Sequence, residues 1–178
     1  HTVGGWVRVT NNNLGTGRWQ LGSVSADEVA TTRFSPGAVW IYAGAGLNAA
    51  GTSPVLQTDA AKVGAGGVLG SWVSVSPMKP ARSGYGLVAA ANQIFAFGGR
   101  DAAPSTSSQS AQFCGGGAKC KGGASNPPNL AGWNNLGGGG TLKVARYLTC
   151  AAVESGRIFL VGGATTPGVT SSVESAVW

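Results

Sequence analysis

Three cysteines, one histidine and six acids are the residues of this chain with the most capacity for chemistry. Cys114 and Cys120 bracket CGGGAKC, whose three glycines let a short loop fold back so that two sulfurs can meet. A local Cys114–Cys120 disulfide is the preferred reading. A reduced pair and a metal site are the rivals, and a metal would need two more ligands where no further His or Cys lies near. Cys150, inside the apolar YLTCAAV, reads as a buried small hydrophobe. His1 is the single histidine, so the many Ser and Thr hydroxyls have no evident base for a hydrolytic triad. Of the acids Asp27, Glu28, Asp59, Asp101, Glu154 and Glu174, only the first two are neighbours, and all are expected as solvated loop acids rather than an acid/base pair. The glycine-rich GGGAKC and LGGGGTLK lack the GK[ST] ending and the following helix of a phosphate loop, and read as long connections between strands. The inventory therefore implies no catalytic set, no metal and no cofactor.

The elements that would position these groups are short. Of 178 residues, 43% are hydrophobic and only 10% charged, while 31 glycines cluster between brief apolar runs, which is the profile of an all-β chain. No apolar run reaches the roughly 18 residues of a membrane span. Twelve Lys and Arg against six acids give a net charge of +6, but the basic residues are dispersed from Arg8 to Arg157. The densest group is Lys119 with Lys121, so a mildly basic surface is expected rather than a nucleic-acid partner.

An internal repeat organises the chain. ARSGYGLVAAANQIFAFGG (81–99) aligns without a gap on ARYLTCAAVESGRIFLVGG (145–163), with Arg82 and Arg146 each sixteen residues before the first glycine of Gly98-Gly99 and Gly162-Gly163. The copies continue into SSQSAQF (107–113) and SVESAVW (172–178). A weaker upstream copy takes Arg33 as its arginine and places Gly44-Ala45 at the glycine pair. Trp19, Trp72 and Trp133 each precede one of these arginines by ten to fourteen residues. The unit reads as four short strands: one carrying the Trp, one following the Arg, one ending at Gly-Gly and one ending in an aromatic residue.

With its double glycine after an apolar strand and its spaced Arg and Trp, the chain resembles the kelch-repeat family of β-propellers, and more narrowly the kelch-like proteins secreted or displayed by prokaryotes. The resemblance implies a β-propeller of four-stranded blades, in units of roughly 1–24, 25–78, 79–138 and 139–178. It also implies structural roles for Arg33, Arg82, Arg146, Trp19, Trp72, Trp133 and the glycines Gly98, Gly99, Gly162 and Gly163 at the contacts between blades. Some relatives of this kind are copper-radical oxidases, which need histidines and a Tyr joined to a Cys. Here Tyr42, Tyr85 and Tyr147 lie within repeat strands, and a strand spacing of three would set Tyr147 and Cys150 on opposite faces.

With Trp6 placed on the aromatic-ending strand of a first unit, the strands sum to thirteen, about three blades, whereas a closed ring takes about four to eight. A fragment of a longer propeller is expected, with completion by another chain or by symmetric copies as the other solutions. The expected function is a non-catalytic module that binds protein or glycan in an extracellular or cell-surface assembly. The loop holding Cys114, Lys119, Cys120 and Lys121 is its best contact candidate. The alternative is part of a propeller enzyme, an oxidase or a sugar mutarotase, whose catalytic residues lie outside this chain.

Overall fold

The computed structural model describes residues 13–27, 39–114 and 129–178. Among the described residues, eleven strands form three antiparallel sheets in which sequence neighbours pair. The first sheet holds β1 (Gly22–Asp27), β2 (Val39–Gly44), β3 (Thr58–Val63) and β4 (Leu69–Val75). The second holds β5 (Gly86–Ala90), β6 (Gln93–Phe97), β7 (Ser108–Gln112) and β8 (Asn134–Asn135), and the third β9 (Cys150–Glu154), β10 (Arg157–Val161) and β11 (Val173–Val177). Among the described residues no helix is long and apolar enough to cross a membrane.

The inner strand of each sheet faces its neighbour: β5 packs beside β1 on one side and β9 on the other. Backbone bonds join the turns that lead into these strands. Gly84 N–H donates to the Gln20 carbonyl (2.8 Å) and Leu148 N–H to the Gly84 carbonyl (2.5 Å). Gln20, Gly84 and Leu148 all have positive φ, 50°, 62° and 53°, so one unusual turn recurs in all three sheets even where the residue is not glycine.

Short side chains let the sheets approach. Ala26, Tyr42, Ala60, Val75, Ile94, Ala111 and Leu130 form the core between the first two sheets, and Val88, Phe95, Phe97, Leu142, Ile158 and Leu160 the core between the second and third. The Arg100 guanidinium, in the connection between β6 and β7, lies 4.9 Å from the centre of the Tyr147 ring in the turn that leads into the third sheet, a cation–π contact between the two sheets. LGGGGTLK connects the second sheet to the third and contains a short 3-10 turn at Gly138–Gly140.

Three expectations change. β1 lies before Arg33, spans the expected unit boundary at 24/25, and opens the first sheet. The register puts Ala45-Gly46, not Gly44-Ala45, where the other sheets have Gly98-Gly99 and Gly162-Gly163, because Gly44 is still paired with Thr58 inside the strand. Cys150 is an exposed free thiol, since the alternation along β9 turns it outward beside the exposed Val161.

Candidate functional site

An arginine with a buried side chain stands four residues before the first strand of each of the three sheets: Arg18 before Gly22, Arg82 before Gly86 and Arg146 before Cys150. Each reaches across the end of its sheet to the carbonyl just before the third strand, which also accepts a backbone amide from the turn after the second strand, and Arg82 and Arg146 reach the first glycine of that turn as well. Arg146 Nη1 donates to the Gly162 and Ser172 carbonyls (2.9 and 3.0 Å), and its Nη2 to Ser172 Oγ (2.7 Å) and Glu174 Oε1 (2.6 Å). Arg82 Nη1 donates to the matching carbonyls of Gly98 (2.9 Å) and Ser107 (3.2 Å). Arg18 Nη1 reaches the Gln57 carbonyl (2.7 Å) and its Nη2 the Asp59 carboxylate (2.5 Å).

Register makes Asp59, Gln109 and Glu174 equivalent, because each lies two residues beyond the residue whose carbonyl receives the arginine. Two sheets thus close on an ion pair, whereas the middle one has at that position the Gln109 amide, whose Nε2 bonds Lys79 and Asn135 rather than Arg82. Without a carboxylate beside it, burial lowers the Arg82 pKa, with a smaller opposing effect from Tyr85. Arg82 Nη2 and Gln109 Oε1 have no partner among the described residues.

Asp59 and Glu174 are therefore not solvated loop acids. Asp59 is buried on β3, holding Arg18, Gln57 Nε2 and Ser74 Oγ. Glu174 lies on β11 and also accepts the Lys143 and Val144 amides. Arg33 lies outside the described residues, and Arg18 fills the position of Arg82 and Arg146 in the first sheet. Trp19, beside Arg18, takes the place of Ser83 and Tyr147 rather than of Trp72 and Trp133. It is exposed, with Nε1 donating to the Ala49 carbonyl at 3.1 Å. Trp72 is on β4, and Trp133 precedes β8 and donates through Nε1 to the Ser76 carbonyl at 3.2 Å.

Tyr85 fills the junction of the first two sheets, buried against Gly22 and Gly44, and its hydroxyl donates to the Gly44 carbonyl. Burial pushes its pKa well above the usual tyrosine range, against smaller lowering effects of a backbone hydrogen bond and of Arg18 and Arg82. A phenol whose folded pKa is raised contributes stability that is complete below the unfolded value of 10.0 and falls as pH rises beyond it. Thermal unfolding followed across that pH is expected to show a decline that Tyr85→Phe flattens. Equal decline in both proteins would exclude Tyr85 as its source.

At the arginine end, the loop holding Ala103 and Pro104, the segment Lys143–Ala145 and the loop from Thr165 to Thr170 border an open groove of about 540 Å³. Thr165, Thr166, Thr170 and Lys143 are among the residues that line it, and the Thr165 and Thr170 hydroxyls donate to the Gly168 carbonyl and to Ser172 Oγ. Of the loop expected to make contacts, Cys114 is buried at the end of the second sheet, while Lys119, Cys120 and Lys121 lie outside the described residues. Among the described residues no group of three or more His, Cys, Asp or Glu is placed to hold a metal.

No family model matches the chain. No curated protein matches it either. Solved structures do match, among them one titled "Structure of YjhT", which aligns over 90% of this chain with a TM-score of 0.61 at 11% identity. The chain spans 43% of the length of that structure. At this identity the likeness concerns the fold alone.

Proposed function

We propose that the chain is a section of a kelch-type β-propeller that serves as a non-catalytic module, binding protein or glycan in an extracellular or cell-surface assembly. The observation that carries this reading is the division of labour between frame and loops. The buried side chains of Arg18, Asp59 and Arg146 are held in ion pairs that close the ends of the sheets, and Arg82 is held there by two backbone carbonyls. The loops at the same end border a groove whose lining includes three threonines and Lys143. Variable loops on a rigid frame suit recognition, and hydroxyls beside a cation suit a polyhydroxyl ligand with acidic groups.

Screening the chain against neutral and acidic glycans and against surface proteins tests this. Binding to acidic glycans is expected, weakened about tenfold by Lys143→Ala with Thr166→Ala, in line with the loss of one or two polar contacts. Both side chains lie outside the arginine clamps, so the melting temperature is expected to hold. Binding untouched by the double variant would remove the groove from the reading.

The same reading includes a Cys114–Cys120 disulfide in an oxidising compartment. Peptide mapping without reductant is expected to recover that pair linked and Cys150 alkylated. Alkylation of Cys114 in the native protein would move the chain to a reducing compartment.

A further inference from the structure

We propose that the arginine clamp of the second sheet is a binding site for one buried water molecule, held between Arg82 Nη2 and Gln109 Oε1 where the other two sheets have an ion pair. The site stands apart from the loop groove and does not depend on what the loops bind.

The first and third sheets show how the clamp closes. Arg18 Nη2 meets Asp59 Oδ2 at 2.5 Å, and Arg146 Nη2 meets Glu174 Oε1 at 2.6 Å. Arg82 holds the Gly98 and Ser107 carbonyls through Nη1 just as Arg146 holds those of Gly162 and Ser172, which sets the two guanidinium groups in the same pose. Nη2 of Arg82 is thereby turned toward the side chain at the carboxylate position, Gln109. Neither Arg82 Nη2 nor Gln109 Oε1 has a partner among the described residues, although the two residues are only 3% and 1% exposed.

The local sequence explains why an amide stands here. Besides Arg146, Glu174 accepts the Lys143 and Val144 amides at 2.7 and 3.1 Å. In the same place before Arg82 stand Lys79 and Pro80. Proline has no N–H to give, and Lys79 presents its carbonyl, to which Gln109 Nε2 donates. A carboxylate at 109 would set acceptor against acceptor, whereas an amide can donate. The same nitrogen also donates to Asn135 Oδ1 on β8 at 2.9 Å. Two acceptors on one side of the amide fix which end is nitrogen, so the oxygen is the end left for the clamp.

A donor and an acceptor, both buried and both unpartnered, call for a ligand that accepts from one and donates to the other. Water does both, and buried waters in folded proteins sit at such pairs of otherwise unsatisfied groups. A small anion would meet the guanidinium but would stand against the Gln109 oxygen with no second donor. Side-chain length supplies the room. Glu and Gln are equally long, and in the third sheet the carboxylate oxygen reaches Arg146 directly. In the second sheet the bonds to Lys79 and Asn135 hold the amide back, which leaves space on the scale of one oxygen atom beside Arg82.

Crystals of the chain grown with bromide as the counter-ion, at a resolution that shows ordered water, test the assignment. A peak within about 3 Å of both Arg82 Nη2 and Gln109 Oε1 is expected, without the anomalous signal of bromide. In solution, the Arg82 guanidinium protons are expected to show a nuclear Overhauser contact to a long-lived water, and those of Arg146, whose partners are all protein groups, are not. Gln109→Met keeps the length and removes the acceptor, and is expected to lose both the peak and the contact while Arg82 keeps the Gly98 and Ser107 carbonyls. Bromide at the site, a direct Arg82–Gln109 hydrogen bond, or no peak between the two groups overturns the assignment in the unaltered protein, whether or not the variant folds. A water that stays in place in Gln109→Met would overturn the part given to the amide oxygen.

Discussion

Replacing Arg146 by methionine is expected to lower the unfolding free energy by about 3 kcal/mol, the low end of the cost of breaking a buried ion pair. The side chain is 0% exposed, and its guanidinium joins two backbone carbonyls, one hydroxyl and one carboxylate at the end of the third sheet. Methionine fills most of the volume but leaves the Gly162 and Ser172 carbonyls without that donor and Glu174 without its counter-charge. Glu174 keeps the Lys143 and Val144 amides and some access to water, which holds the cost to the low end. Arg82→Met is expected to cost less, because Gln109 stands where a carboxylate would be stranded, and the buried cation has no such partner to lose. Urea unfolding of both variants checks the order: the midpoint falls further for Arg146→Met, with the denaturant dependence unchanged. Equal losses would mean that the clamp acts through its carbonyl bonds alone.

Gly163→Ala is expected to destabilise by about 3 kcal/mol and Gly162→Ala by about 1 kcal/mol, though the two positions are adjacent. At Gly163 φ is 110°, and a Cβ would lie 2.8 Å from the Tyr147 carbonyl oxygen, whose partner is the Ala164 amide. At Gly162 φ is 62°, in the left-handed region that non-glycine residues can occupy, and a Cβ would meet only the Thr170 carbonyl at 3.5 Å. The first sheet provides an internal comparison. Its first position is already alanine, Ala45 at φ 42°, while its second remains glycine, Gly46 at φ 98°, where a Cβ would stand 2.6 Å from the Trp19 carbonyl oxygen. Thermal melts of the two variants decide the matter, and comparable losses would contradict the ranking.

The second and third sheets can be read from sequence because their repeats keep one spacing. A sixteen-residue interval from Arg82 to Gly98 and from Arg146 to Gly162 reflects a tight hairpin between the first two strands in both. In the first sheet the same hairpin is opened by residues 28–38, which stretches Arg18 to Ala45 to twenty-seven residues, and Arg33 happens to fall nearer the expected interval. A better signal lies on the third strand. TDAA (58–61), SQSA (108–111) and VESA (173–176) each put an acid or amide two residues before an alanine, and that side chain meets the arginine end of the sheet. Asp59 and Glu174 are legible there as partners of arginine, whereas their sparse distribution alone reads as solvated acid. The exposure of Cys150 is hidden in the sequence because an apolar stretch marks a strand without saying which face a neighbouring sheet covers. The groove at the arginine end is not legible at all, since it is bordered by loops whose residues carry no shared pattern.

Three sheets standing side by side through their inner strands are the frame on which every other assignment depends, and residue-resolved amide exchange tests that frame most directly. Gly84 and Leu148 donate their amides across sheets, to the Gln20 and Gly84 carbonyls, from turns that would otherwise be open to water. Their exchange is expected to be as slow as that of β6 in the centre of the second sheet. Exchange at the rate of the loop residues around Gly51, with β6 still protected, would mean that the sheets form separately and do not share one frame.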